Sequence, residues 1–192
     1  MANKILVFIV ILLAGNLHGQ ASDYIITQNH DTIYGKIRKS NSTKFVNFKK
    51  DGNTIRYKAS FGAIRGFYMA KSDEHYDNVE IPKGWESKNK SMYLWRMTKG
   101  DRIKLYFHGE GTGVNYIPTL YILKEGQELA NLPTNGDYAL FGKFAKKSTI
   151  EKTRPFLADN QEALRILDKI IPTSENFVNL INRYNESFAN KK

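Results

Sequence analysis

The amino-acid sequence predicts an α+β fold: a bent antiparallel sheet of about nine or ten short strands, able to close like a barrel, followed by two or three C-terminal helices. Two observations carry this. From Tyr24 to Leu132 apolar residues recur with period two between turn residues, and after Asn135 the period changes to that of a helix. A third sets the scale: 41% of the 192 residues are hydrophobic and there is no cysteine, so packing alone must hold the fold.

Tyr24-Ile25-Ile26-Thr27 and Thr32-Ile33-Tyr34-Gly35-Lys36-Ile37-Arg38 flank the polar turn Asn29-His30-Asp31 and read as a hairpin. Phe45 to Phe48 and Thr54 to Ala59 flank Asp51-Gly52-Asn53 and read as a second. Ile64 to Met69 and Tyr76 to Ile81 are further strands. After the polar segment 83–90 come Met92 to Thr98 and Ile103 to His108, joined through Lys99-Gly100-Asp101. Leu120 to Lys124 and Glu128 to Leu132 close the series. Ile, Val, Tyr and Phe dominate these runs and suit a pleated, half-buried surface.

In the helical part, Tyr138 to Thr153 forms a first helix that Pro155 interrupts. Asp159 or Asn160 caps a second, carrying Leu164, Leu167 and Ile171 and ended by Pro172. Ser174 caps a third, where Phe177, Leu180, Ile181, Tyr184 and Phe188 make one apolar stripe that must lie on something.

Residues 1–21 have the form of a secretory leader. Lys4 precedes the apolar run Ile5 to Leu13, and Gly19 and Ala21 suit a cut after Ala21. The run is shorter than the roughly 20 residues that cross a bilayer. Cleavage would leave residues 22–192 as one domain, with strands over 22–134 and a helical tail over 135–192 packed on them. Of 29 Lys+Arg, Lys4 would be lost, leaving 28 against 19 Asp+Glu, a net charge of +9. The expected location is periplasmic or secreted. With a mean hydropathy of −0.48 the chain is not a polytopic membrane protein.

The pattern resembles a family of uncharacterised exported proteins of Gram-negative bacteria. The residues that carry it are Tyr24-Ile25-Ile26-Thr27 with Asp31-Thr32-Ile33 and Gly35-Lys36-Ile37, similar to an opening hairpin of the form YIVTxxGDTIxGxI. Lys99-Gly100 with Leu105-Tyr106 is similar to that family's second hairpin, and Phe156-Leu157-Ala158-Asp159-Asn160, Leu164 and Tyr184-Asn185 to its helical tail. His30 departs from the family's hairpin glycine, and Pro155 from a helix former. The resemblance implies the fold and export, and transfers no catalytic residue or cofactor.

Several groups could bind. With Ile33, Gly35, Ile37, Ile55, Tyr57 and Ala59 inward, Tyr34, Lys36, Arg38, Thr54, Arg56 and Lys58 point outward, giving a basic face with an aromatic for an anionic polysaccharide or lipid surface. Solvated cations that protect sheet edges are the simpler reading of the same pattern. Trp85, in a polar loop, is an aromatic contact candidate, whereas of the two faces of strand 92–98 the one with Tyr93 and Trp95 is expected in the core. His75 with Asp77 and His108 with Glu110 have ligand-like spacing and would make a metal site if their strands were adjacent. Gly109 to Gly113 is glycine-rich but lacks the Lys-Ser/Thr and the helix of a phosphate loop. No cysteine or G-x-S-x-G nucleophile is present.

The expectation is therefore an exported, non-catalytic binding module with no cofactor, its partner an envelope protein or an anionic surface and not nucleic acid. The alternatives are a small secreted hydrolase with an acidic or metal-dependent site, and a purely structural envelope protein.

Overall fold

A computed structural model describes residues 22–38, 43–82, 91–110, 117–132, 146–171 and 173–189. Residues 1–21, expected to be a leader, Trp85, Pro172 and the expected helix before residue 146 lie outside them. Eleven strands and three α-helices are described: β1 Tyr24–Thr27, β2 Thr32–Tyr34, β3 Lys36–Arg38, β4 Phe45–Lys50, β5 Asn53–Lys58, β6 Ile64–Met69, β7 Glu74–Glu80, β8 Ser91–Arg96, β9 Ile103–Glu110, β10 Ile117–Lys124, β11 Ala130–Leu132, α1 Lys146–Thr153, α2 Gln161–Lys169 and α3 Ser174–Ala189.

The strands form two antiparallel sheets. The larger has the order β11-β10-β9-β8-β7-β6-β1-β2 and the smaller β3-β4-β5. The expected closure into a barrel does not occur, because the large sheet ends at β11 and β2. The strand count exceeds expectation partly because the run Thr32–Arg38 divides at Gly35, where the chain leaves one sheet for the other. A Cβ there would overlap the Phe48 ring, so only glycine lets the backbone pass this close. Asp23 pins the bend: one carboxylate oxygen accepts the Ile37 N–H (2.8 Å) and the other the Ala70 N–H (2.9 Å).

The turns follow their sequences. Asp51 and Gly52 both adopt positive φ (48° and 82°), the two-residue turn whose twist matches a hairpin. His30 adopts φ 67°, the left-handed region that costs a non-glycine residue about 1–2 kcal/mol.

One face of the large sheet carries two cores. Ile25, Phe67 and Tyr93 pack with Ile37, Val46 and Phe48 of the small sheet. Ile103, Leu105, Leu120, Ile122 and Leu132 pack with Leu167, Phe177, Leu180, Ile181 and Tyr184 of the helices. A third cluster, including Val79, Met92, Leu94, Tyr106 and Leu129, lies on the other face. β8 is consequently buried on both sides from Met92 to Leu94, against the expectation that only the Tyr93 side would be core. Three further expectations are corrected. Ile171 is 64% exposed because α2 ends at Lys169, and Ile170 is buried instead. Thr173, not Ser174, caps α3 through its Oγ1, which accepts the Asn176 N–H (3.2 Å). Ile55 is half exposed because β5 is an edge strand. The first helix is described only from Lys146; Pro155 does end it, in a 3₁₀ turn at Arg154–Leu157. Of the two residues expected to cap α2, Asn160 does so, accepting the Ala163 N–H (3.0 Å).

Candidate binding face and groove

The register of the small sheet decides which side chains share its outer face. Lys36 lies opposite Lys49 and Lys49 opposite Thr54; Arg38 and Arg56 flank Asn47; Phe45 lies opposite Lys58. Val46, Phe48 and Ile37 take the inner side. The outer face thus holds Lys36, Arg38, Lys49, Arg56 and Lys58, all exposed. No described carboxylate forms an ion pair with any of them. Arg56 donates from Nε to Asn47 Oδ1 (3.1 Å), and its guanidinium lies 4.4 Å from the Phe45 ring centroid. The Lys58 amine lies 5.1 Å from the Phe61 ring. Like charges directly opposite each other weaken a sheet, so Lys36 facing Lys49 costs stability rather than supplying it.

Sequence reasoning placed Lys36, Arg38, Arg56 and Lys58 correctly on this face but missed Lys49 and Phe45. It ended the β4 pattern at Phe48, although Phe45, Asn47 and Lys49 continue one alternation. Tyr34 departs from the group. It belongs to β2 in the other sheet, beyond the Gly35 bend.

On the large sheet, opposite the face that carries the small sheet and helices, Tyr34 starts a row that sequence reasoning did not detect. Successive registers align Tyr34, Tyr24, Tyr68, His75, Arg96, Tyr106, Tyr121 and Asn131, one residue from each of the eight strands. Ring centroids are 5.9 Å apart for Tyr34 and Tyr24, 5.0 Å for Tyr24 and Tyr68, and 4.5 Å for Tyr68 and His75. Tyr24 and Tyr68 are stacked, so each covers a face of the other. No sequence period reveals such a row, since its members come from hairpins with different offsets.

Beside the row, Asp77 accepts two hydrogen bonds from Arg96, from Nε and Nη2 at 2.7 Å each, and one from the Tyr106 hydroxyl at 2.8 Å. Arg96 and Lys104 also reach Asp101, at 3.2 and 3.4 Å. Two carboxylates and two cations balance. They line a groove of about 1490 Å³ whose far wall is the β10–β11 turn. Burial pushes the Tyr106 hydroxyl pKa far up, and the Asp77 charge adds to this, so it remains a donor. Partial burial, then the charge of Arg96, lowers the His75 pKa.

The metal alternative loses its geometry here. β8 lies between the strands of His75 and His108, and Asp77 is already engaged by Arg96. The Glu110 side chain lies outside the described residues, and no group of three or more His, Asp or Glu among the described residues is placed to hold a metal ion.

The tail motifs have a structural task. Tyr184 donates from its hydroxyl to Asp159 Oδ1 (2.7 Å), and Arg102 and Lys124 each reach Asp159 Oδ2 at 2.9 Å. The Arg102 guanidinium also lies 3.8 Å from the Phe188 ring centroid. Asn185 accepts the Ile103 N–H (2.9 Å) and donates to the Lys99 and Ile103 carbonyls (2.6 and 2.8 Å). Gly100 sits against the same Asn185 side chain. The segments 99–105, 156–160 and 184–185 therefore meet in one joint between β9, β10 and α3. No family model, curated protein or solved structure matches the chain.

Proposed function

We propose that this protein is an exported, non-catalytic binding module that holds an anionic polysaccharide on the outer face of its small sheet. The observation that carries this is the set of five exposed cations on three short strands, with Lys36 directly opposite Lys49 and no described carboxylate in compensation. A polymer bearing carboxylates or phosphates would offset a repulsion that folding leaves in place. Phe45 under the Arg56 guanidinium holds one cation in position on its ring. Export rests on the leader-like residues 1–21 and agrees with the resemblance to exported Gram-negative proteins.

The test is retention of the purified protein on immobilised polygalacturonate, anionic lipid vesicles and duplex DNA at rising salt. A variant with Lys36, Arg38, Lys49, Arg56 and Lys58 changed to Gln is run in parallel. Salt-sensitive retention on polygalacturonate that disappears in the variant supports the proposal. Equal retention of both proteins overturns it, and retention only on vesicles or DNA replaces the polysaccharide with that polyanion.

A further inference from the structure

The groove on the large sheet has a different chemistry from the basic face. Its four central charges compensate one another: Asp77 and Asp101 against Arg96 and Lys104. An ionic ligand would therefore gain little net attraction there. What the adjoining row offers is hydroxyls and ring edges, because the Tyr24 and Tyr68 rings stack on each other. Only Tyr34, at the end of the row and 62% exposed, offers a largely open ring. Its neighbour Tyr24 meets it edge to face. Neighbouring strands place one row member about every 4.8 Å, a step close to the length of one hexopyranose residue.

We propose that this groove, with the exposed end of the row beside it, is a second binding site, for a neutral oligosaccharide lying across the strands. One sugar ring would stack on Tyr34, and the following hydroxyls would exchange hydrogen bonds with Tyr24 and His75 and, in the groove, with Asp77 and Arg96. Paired, planar Asp and Arg side chains suit this because each keeps lone pairs or N–H groups for a vicinal diol while its charge stays compensated. Burial, then the neighbouring Tyr34, raises the Tyr24 pKa further above the ordinary tyrosine value, and its hydroxyl is protonated at neutral pH.

The experiment is calorimetric titration of the purified protein with maltohexaose, cellohexaose, chitohexaose and, for contrast, oligogalacturonate. The variants are Tyr34→Ala and His75→Ala, both at exposed positions, with thermal midpoints recorded for each. The expected result is binding of at least one neutral hexasaccharide, weakened about three- to tenfold by Tyr34→Ala and also weakened by His75→Ala. The fivefold Gln variant of the basic face should bind that hexasaccharide as the unaltered protein does. This separates the groove from the basic face, so either proposal can fail alone. Three outcomes overturn the inference: no heat with any neutral sugar, binding indifferent to both Tyr34→Ala and His75→Ala, or binding of oligogalacturonate alone.

Discussion

Arg102 and Lys124 carry the same charge as Lys36, Arg38, Lys49, Arg56 and Lys58, yet the two sets meet opposite surroundings. At the joint between sheet and helices, the Asp159 carboxylate receives both Arg102 and Lys124. On the small sheet the cations face solvent, an asparagine and one another. Basic residues thus serve the fold where a carboxylate converges on them. Where none does, they remain a cost that folding does not explain, and that contrast directs the search for a ligand to the small sheet.

The largest way to break the comparison lies in the joint. Asn185→Ala leaves the Ile103 N–H and the Lys99 and Ile103 carbonyls without their partner and should destabilise by about 3 kcal/mol, read from denaturant unfolding. A loss below experimental error would mean that the joint contributes no more than the open face does. Next comes the fivefold Gln variant. Five exposed contacts at roughly 0.3–1 kcal/mol each predict at least a tenfold loss of polyanion affinity. Its thermal midpoint should stay level or rise, since the facing of Lys36 and Lys49 disappears; a large fall would recast these residues as structural.

Acid sharpens the contrast further. Burial tends to raise the Asp159 pKa, but hydrogen bonds from Arg102, Lys124 and Tyr184 outweigh it and hold the carboxyl well below the usual carboxylate range. The folded state therefore sheds a proton that the unfolded chain keeps. The resulting stability is fully present above the unfolded pKa of about 4 and fades as pH falls towards the folded-state value. Asp159→Asn should flatten that part of the stability curve, whereas the fivefold Gln variant should leave its shape intact. The smallest effect belongs to the first hairpin. His30→Gly relieves a positive φ and should add up to about 1 kcal/mol, measured as a shift of the denaturation midpoint; a loss would show that the contact of His30 with Arg65 outweighs the strain.

Much of the fold was legible along the chain. Alternation and turn residues located the β-hairpins, narrowed the α2 cap to Asp159 or Asn160, and located the α3 stripe, because these are local: a turn or a helix face is decided by residues a few positions apart. Four of the five cations of the basic face were legible for the same reason, as every second residue of two strands. Lys49 was missed with the end of β4, and Thr173 was missed as a cap because it and Ser174 can both accept the same kind of hydrogen bond.

By itself, then, the sequence determined the element types, the outward placement of Lys36, Arg38, Arg56 and Lys58, and a core that no disulfide supports. Tertiary structure alone decided that the sheet stays open, that Gly35 hands the chain from one sheet to the other, and that Tyr34 leaves the basic group for the eight-residue row. It also decided that Asp77 meets Arg96 rather than sharing a metal with the histidines, and that Asp159 gathers Arg102 and Lys124 from the distant sheet. The reason is physical. Alternation says which side of its own strand a residue takes, but register and strand order, which decide what lies beside it, arise only when distant segments pair.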